Sequence, residues 1–321
     1  MAVDHPDESL AGVGEFAAID RLVAGRRQPP WVSLGPGDDA AVVAAPDGRT
    51  VVSTDMLVED RHFRLDWSTP YDVGRKAIAQ NAADIEAMGA RATAFVVGFG
   101  APGETVTARA VELADGMWHE AELLGAGIVG GDMVRAPQWV ISVAALGDLG
   151  GREPVRRAGA NRGDTVAAIG NIGHSAAGYV LWHNGINGFD ELRGRHRVPE
   201  PPYGQGAVAA RSGATAMTDV SDGLLADLAH IATASGVRID VHTTGLRPDI
   251  DALAAAGAAA GSEPLDWVLG GGEDHALVAT FPDALPPGWR AIGTVVDRGN
   301  GPARVTVDGA EWGGDPGWQS F

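Results

Sequence analysis

The chain has 321 residues, 45% of them hydrophobic, and its 42 acidic and 24 basic side chains give a formal net charge of −18. The length suits about two domains, and the acidity, without any cluster of Lys or Arg, argues against a nucleic acid or an anionic membrane as partner. Cysteine is absent, which excludes disulfides, thiol nucleophiles and Cys-ligated zinc.

The acidic N-terminus lacks the apolar core of a signal peptide. The longest apolar stretches, of about ten residues, are too short for a membrane span. We therefore expect a soluble, cytoplasmic protein, for which the overall negative charge needs no explanation beyond solubility.

The predicted elements mix helices and strands along the chain. Helical spacing predicts helices around 16–23, over 70–88 and 105–124, and from Ser221 onward. Runs rich in Val and Ile predict strands at 50–55, 92–100, 139–147, 164–170, 238–243, 276–281 and 290–297. This mixture indicates an α/β or α+β architecture. The Gly-rich, charged segment 147–164 divides it into an N-terminal domain, 1–148, and a C-terminal domain, 149–321.

The common nucleotide-binding motifs are absent or misplaced. A GxGxxG string at 125–130 follows a predicted helix and precedes a strand, the reverse of the order in dinucleotide-binding folds. The only lysine, Lys76, lies inside a predicted helix, so a P-loop is impossible. Any nucleotide must have its phosphate charge neutralised by another device.

Carboxylates beside glycines provide such a device. Carboxylates are ligands for Mg²⁺, which commonly accompanies phosphate, and glycine lets the backbone approach a ligand closely. The motifs predict a phosphate site that uses several metal ions instead of basic side chains. In chain order, their acidic residues are Asp38 and Asp39, Asp55, Asp84, Asp132, Asp219 and Asp222, and Glu273 and Asp274.

Each carboxylate also has a simpler explanation. Asp38 and Asp39 lie in an expected tight turn. Their adjacent carboxylates repel each other, which favours a metal site there, although an Asp turn remains the alternative. Asp55 is expected to end a strand after Ser53 and Thr54, whose hydroxyls can join a metal site; the alternative is a capping role.

Asp84 is expected in the middle of a helix, where aspartate has poor propensity. Asn81 lies three residues earlier on the same face, and a carboxylate on such an apolar face is costly unless it is paired or bound to metal. The alternative is an ion pair with Arg75 or Arg91.

The remaining candidates are weaker taken one at a time. Asp132 follows two glycines at an expected strand end, but GGD is also compatible with a turn. Asp219 is expected to close a strand, and Ser221 or Asp222 to begin the next helix, as an N-cap, a phosphate contact or both. His62 by itself is more often structural than functional.

Taken in order, the motifs GPGDDA, STDMLVEDRHF, NAADIEAMGA, GGDM, TDVSDGLLADL and GGGEDHAL resemble the thiamine-monophosphate kinase family. The resemblance extends over about residues 14–318. It implies the two-domain fold of the aminoimidazole ribonucleotide synthetase superfamily, in a homodimer whose N-terminal sheets form a shared barrel, with ATP between the two domains. The implied reaction is the ATP- and Mg²⁺-dependent phosphorylation of thiamine monophosphate to thiamine diphosphate by direct in-line transfer.

The resemblance also implies roles for individual residues, of which Asp84, Asp132 and Asp222 would be central to catalysis. Those around several Mg²⁺ ions would be Asp39, Ser53, Thr54, Asp55, Asp84, Asp132, Asp219 and Asp222. Those touching ATP would be Gly131, Asp132, Arg157 and Ser221, although Arg156 adjoins Arg157 and competes for its role. Those contacting thiamine monophosphate would be His62, Glu273 and Trp318.

Two alternatives remain open at this stage. One is another enzyme of the superfamily that uses the same ATP site for a different acceptor. The other is a nucleotide-binding scaffold that binds Mg·ATP without turnover.

Overall fold

The structure is a computed structural model that describes residues 8–36, 40–299 and 301–318. Its chain divides into two compact units, one of residues 1–85 and 92–151 and the other of 86–91 and 152–321. The division after Gly151 lies inside the predicted boundary segment. The short segment 86–91 belongs to the second unit, which no sequence pattern indicated. Within the described ranges, no helix has the length and apolarity to span a membrane.

The first unit combines a four-stranded sheet with helices. Its elements are α1 (Leu10–Val13), α2 (Glu15–Val23), β1 (Val32–Leu34), β2 (Val42–Val43), β3 (Val51–Val58), α3 (Pro70–Ala87), β4 (Arg91–Ala101), α4 (Thr107–Leu123), β5 (Gly127–Arg135) and β6 (Val140–Asp148). The main sheet has the order β3-β6-β4-β5, in which β3 and β6 are antiparallel and β4 and β5 are parallel. The predicted helices at 16–23, 70–88 and 105–124 and the first three predicted strands are confirmed, with shifts of a few residues at their ends.

The second unit is built on a six-stranded, largely antiparallel sheet. Its elements are β7 (Thr165–Ile169), α5 (His174–His183), α6 (Asp190–Arg197), α7 (Gln205–Arg211), β8 (Ala216–Asp219), α8 (Leu224–Ser235), β9 (Arg238–Val241), a 3₁₀ turn (Thr243–Leu246), α9 (Arg247–Ala260), α10 (Pro264–Gly270), β10 (Leu277–Phe281), β11 (Arg290–Val296) and β12 (Arg304–Val307). The order is β12-β9-β11-β7-β10-β8, and only β12 runs parallel to its neighbour. The last four predicted strands are confirmed as β7, β9, β10 and β11.

The central strands of this sheet are buried on both faces. In β7, Val166 and Ala168 pack into one hydrophobic cluster, while Ala167, between them, packs into the other. Because successive side chains of a strand point to opposite faces, each face needs its own apolar cover. This is why β7 and β10 are continuous apolar runs in the sequence and do not alternate.

Candidate functional site

In the first unit, β3 and α3 bring three predicted ligands together, and we call Ser53, Asp55 and Asp84 the β3–α3 cluster. The Ser53 hydroxyl donates to Asp84 Oδ2 over 2.5 Å. The Asp55 amide donates to Asn81 Oδ1 over 2.9 Å, and the Gln80 side-chain amide donates to Asp55 Oδ2 over 3.3 Å. Ser53 and Asp55 share a face of the strand because they are two residues apart, and Asn81 and Asp84 share a face of the helix because they are three apart. The cluster offers hard oxygen donors of the kind that Mg²⁺ prefers.

The position of Asp55 differs from the expectation. It does not end a strand, because β3 continues to Val58 and pairs with β6 throughout. Alternation along β3 places Thr54 on the opposite, exposed face, so its hydroxyl does not point toward the β3–α3 cluster. The predicted ligand Asp39 lies outside the described residues.

The alternative explanation for Asp84 was an ion pair with Arg75 or Arg91, but Arg75 pairs with a different carboxylate, on α4. The Arg75 Nε donates to Glu120 Oε2 over 2.8 Å, and Glu120 is buried. Asp84 is half-buried in the middle of α3, as predicted, with the Ser53 hydroxyl against its carboxylate.

Asp132 lies on the far edge of the same sheet and on its other face. The register pairs Asp132 with Gly98, a Cβ at Gly98 would face Ser142, and Ser142 pairs with the exposed Met56. Asp132 therefore shares the Met56 face and not the face of the β3–α3 cluster. Since β5 is three strands from β3, roughly 14 Å at ordinary strand spacing, a single copy of this unit does not join Asp132 to the cluster.

The glycines before Asp132 have a structural reason of their own. The sequence predicted this motif at a strand end. It instead lies inside β5, which continues to Arg135. A Cβ at Gly131 would lie 2.1 Å from the Val97 carbonyl oxygen, so strand pairing alone requires glycine there. Gly130 faces open space.

The turn after β3 holds His62 through its own backbone. The Val58 amide donates to His62 Nδ1 over 3.0 Å, and the His62 amide donates back to the Val58 carbonyl. The ammonium of Lys76, on α3, donates to the His62 carbonyl over 2.8 Å. Sequence reasoning used Lys76 only to exclude a P-loop. The signal that it missed was the single lysine of the chain, next to the apolar residues Ala77, Ile78 and Ala79.

In the second unit, three loops are joined by main-chain hydrogen bonds around the remaining candidates. The Glu273 amide donates to the Ser221 carbonyl over 2.7 Å, and the Trp318 amide donates to the Asp222 carbonyl over 2.8 Å. A Cβ at Gly272 would lie 2.5 Å from the Ser221 carbonyl oxygen, which explains one glycine of GGGED. The packing places Glu273 and Trp318 beside the SDG loop, 221–223, and leaves Trp318 59% exposed.

The SDG loop is not the start of a helix. The prediction that Ser221 begins or caps α8 is wrong, because α8 starts at Leu224 and its N-cap is Gly223. One oxygen of Asp227 instead accepts the amides of Ser221, Asp222 and Gly223 over 3.0–3.1 Å. The amides that would have met a phosphate at a helix N-terminus are thus used inside the protein.

The Asp227 carboxylate also shapes the electrostatics of this loop. Burial, with the nearby charges of Asp219 and Asp222, raises the pKa of Asp227 to about 7, although the amides of the loop oppose the shift. Among the described residues, Asp222, Asp227 and His230 form a group whose ligand atoms lie within 4.8 Å of one another. This geometry is compatible with a metal ion next to the predicted ligand Asp222.

The other predicted ligand here, Asp219, is buried at the end of β8, as expected from the sequence. His275 Nδ1 lies 3.0 Å from Asp219 Oδ2. The His275 backbone has a positive φ of 54°.

The two acids of GGGED have different tasks. Asp274 is buried and accepts the amides of Gly173 and Ser175 over 2.5 and 2.8 Å at the start of α5. Glu273 has a positive φ of 62°, keeps its side chain partly exposed, and lies 3.6 Å from His196 Nδ1. Of the pair, Glu273 is therefore accessible from solvent, while Asp274 is part of the protein framework.

The loop with Arg156 and Arg157 is held by its backbone. The Met217 amide donates to the Arg156 carbonyl, and the Ser235 hydroxyl donates to the Arg157 carbonyl over 3.0 Å. Both arginine side chains are exposed, so both are open to an anion in solution.

Comparisons with known proteins agree with this layout along the whole chain. Residues 37–149 match the model of the AIR synthase related protein N-terminal domain, and residues 161–305 match that of its C-terminal domain. The thiamine-monophosphate kinase of Mycobacterium tuberculosis is 68% identical over 321 residues, which cover 100% of this chain and 95% of that protein. The chain belongs to the thiamine-monophosphate kinase family.

Further members of the family support the assignment. The thiamine-monophosphate kinase of Corynebacterium glutamicum is 47% identical, with coverage of 98% of this chain and 95% of that protein. A structure described as AaThiL complexed with AMPPCP and TMP superimposes with a TM-score of 0.79 at 29% identity, covering 96% of this chain and 97% of that chain. The two-domain fold implied by the sequence motifs is confirmed.

Proposed function

We propose that this protein transfers the γ-phosphoryl group of ATP to thiamine monophosphate and forms thiamine diphosphate and ADP. The observation that carries the proposal is the 68% identity to a thiamine-monophosphate kinase over the full chain. The carboxylate-rich loops and strands support it, because this nearly lysine-free chain carries the hard oxygen ligands that a metal-assisted phosphoryl transfer requires.

The reaction needs little covalent chemistry from the protein. A phosphate oxygen of thiamine monophosphate is already nucleophilic, so it can attack the γ-phosphorus in line; the new O–P bond forms as the bond to the β-phosphate oxygen breaks and ADP leaves. Catalysis is then a matter of alignment and charge neutralisation. Bound Mg²⁺ ions would supply the neutralisation.

We assign the metal-binding role to carboxylates in both units. In the first, the β3–α3 cluster is the best-formed set, with Asp84 held by the Ser53 hydroxyl and Asp55 held by Gln80 and Asn81. We retain Asp132 and the hydroxyl of Thr54 as proposed ligands, although both side chains lie on the opposite face of the sheet. Asp39 stays a prediction. In the second unit, Asp219 and Asp222 take this role, and Asp222 has Asp227 and His230 beside it.

Nucleotide and substrate contacts follow the same layout. Gly131, Asp132, Ser221 and Arg157 are our candidates for ATP, and the exposure of the Arg156–Arg157 loop supports a phosphate contact there. His62, Glu273 and Trp318 are our candidates for thiamine monophosphate. The exposed Trp318 ring, on a backbone tied to Asp222, is suited to stack on the cationic thiazolium ring.

We also propose a homodimer formed through the open face of the main sheet in the first unit. Large apolar side chains lie exposed on this face, among them Val52 (63%), Met56 (54%) and Val134 (59%). Val52 and Met56 lie on β3 and Val134 lies on β5, at the two edges of this face, and exposed apolar side chains of this kind are commonly covered by a partner. Thr54 and Asp132 lie on the same face, so pairing of two copies would place both residues at the interface. A cytoplasmic location likewise remains our prediction.

The test is to incubate the purified protein with Mg·ATP and thiamine monophosphate and to follow the reaction by ³¹P NMR. We expect ADP and thiamine diphosphate to appear in equal amounts. ATP that stays intact would favour a silent scaffold. ADP with free phosphate and no diphosphate ester would favour another acceptor of the superfamily.

A further inference from the structure

Lys76 is the only lysine of the chain and is 1% exposed. Its helix neighbours Ala77, Ile78 and Ala79 are fully buried. An ammonium in such surroundings loses its hydration and is costly unless hydrogen bonds replace the lost water. An apolar side chain of similar length would fill the same space without that cost. The charge therefore calls for a reason other than packing.

The hydrogen bonds of Lys76 include one that reaches the His62 turn. Its Nζ donates to the His62 carbonyl oxygen over 2.8 Å, from α3 to the loop that follows β3. Both residues belong to the first unit. A hydrogen bond to a charged donor is stronger than one between neutral groups, so this contact is well suited to hold a turn in place.

The same turn orients the imidazole ring. The Val58 amide donates to His62 Nδ1 over 3.0 Å, and the amides of Arg61 and His62 donate to the Val58 carbonyl. Asp60 adopts a positive φ of 64°, a conformation that L-residues rarely adopt without support from their surroundings. Because Nδ1 accepts a hydrogen bond, the neutral ring carries its proton on Nε2 and presents a donor on its other side.

We propose that Lys76 is a positioning residue that anchors the 58–62 turn, so that His62 presents Nε2–H to an acceptor atom of thiamine monophosphate. The proposal rests on the proposed function, in which His62 contacts that substrate. In this role Lys76 need not touch substrate or nucleotide, because it acts on the substrate contact through the His62 backbone.

The first experiment compares Lys76→Met with Arg75→Met. Methionine keeps most of the stem and removes the ammonium. Arg75, the preceding residue, has its cation paired with Glu120 instead, so its variant is a matched control. We expect Lys76→Met to raise the KM for thiamine monophosphate by about tenfold or more while the KM for ATP changes little. Arg75→Met should leave both KM values unchanged. An unchanged KM for thiamine monophosphate in Lys76→Met, or an equal rise in both KM values, would overturn the proposal.

A double-mutant cycle with His62→Ala separates this role from general stabilisation. If Lys76 acts through His62, adding Lys76→Met to His62→Ala should change the KM no further. Additive effects would refute the coupling. A normal KM in active His62→Ala would remove His62 from the substrate site, and the proposal with it, while leaving the kinase activity established.

A spectroscopic measurement keeps the proposal testable without turnover. In ¹⁵N NMR, with the His62 ring signals assigned from His62→Gln, the wild type should show the Nε2–H tautomer and Lys76→Met should show a mixture. Identical spectra would overturn the proposal whether or not the protein phosphorylates thiamine monophosphate. If Lys76→Met does not fold, Lys76→Gln replaces it, because the shorter amide falls short of the His62 carbonyl; the same selective rise in KM is expected.

Discussion

Single residues in the β3–α3 cluster show why a carboxylate can occupy a position that disfavours it. Asp84 lies in the middle of α3, where aspartate is a poor helix former. Its carboxylate receives the Ser53 hydroxyl, and one helical turn earlier Gln80 and Asn81 hold Asp55. Five polar residues on two elements thus converge at one place. Such an arrangement is expected of a ligand site and not of a core.

Replacing Asp84 by asparagine removes the charge of this site with little change in shape. We expect kcat to fall by about a hundredfold or more, the scale seen when one preorganised electrostatic contact is lost, while the fold persists. Steady-state kinetics together with a thermal unfolding curve will measure both effects.

Asp66→Asn is the matched control, since Asp66 is exposed and pairs only locally with Arg64. Its turnover should equal that of the wild type. Near-normal turnover in Asp84→Asn would refute the metal-binding role of Asp84.

At the level of elements, Asp274 joins the end of the GGGED loop to the start of α5. It accepts the amides of Gly173 and Ser175, which are among the free donors at a helix N-terminus. Burial nevertheless raises the pKa of Asp274 to about 7, against the opposing effect of these two amides. The folded protein therefore retains a proton that the unfolded chain has released.

This linkage predicts a direction of pH dependence. The ordinary aspartate pKa is 3.8, so between about pH 4 and pH 7 the folded state holds the proton and the unfolded state does not. The contribution of Asp274 to the free energy of unfolding is complete at the acid end of this window and declines as the pH rises. The asparagine of Asp274→Asn has no ionisable group, so the free energy of unfolding of this variant lacks this decline.

Denaturant unfolding at pH 5 and pH 8 tests the prediction. The wild type should exceed Asp274→Asn in the free energy of unfolding by more at pH 5 than at pH 8. The gap should narrow by a few kcal/mol at most, since each pKa unit corresponds to about 1.4 kcal/mol. A gap that is equal at both pH values, or wider at pH 8, would contradict the assignment.

For the whole molecule, the decisive feature is a sheet in the first unit with one covered and one open face. The inward side of β3 carries Ser53, Asp55 and the buried Leu57, whereas its outward side carries the exposed Val52 and Met56. An exposed apolar surface of this kind is costly in water unless a partner covers it. The proposed homodimer would remove this surface from water.

A charge placed on the open face should disrupt such a dimer. We expect Met56→Glu to halve the molar mass measured by light scattering after size-exclusion chromatography, because a buried carboxylate at the interface would be unpaired. Leu123→Glu is the matched control, since Leu123 is equally exposed (58%) but lies on α4. A monomeric wild type, or a dimeric Met56→Glu variant, would refute the interface.

Sequence patterns alone were enough to predict the mixed architecture, seven of the strands and three of the helices, and they singled out the carboxylates that we propose as ligands. Those features depend on local periodicity, on glycine and aspartate in short motifs, and on the absence of lysine and cysteine. Asp84 in mid-helix and Asp219 at the end of a strand were predicted correctly because each depends on its own element.

Which of these residues face one another became clear from the packing of the elements. β3 pairs with β6 beyond Asp55, so the strand does not end there. Because side chains alternate along the strand, Thr54 points away from the β3–α3 cluster. The sequence predicted that the amides at Ser221 begin a helix. In the structure Asp227, in the first turn of α8, accepts hydrogen bonds from these amides. The hydrogen bond from Lys76 to the His62 carbonyl depends on the packing of α3 beside the His62 turn. Each outcome depends on contacts between segments distant in the chain or on where a helix starts, which local periodicity does not encode.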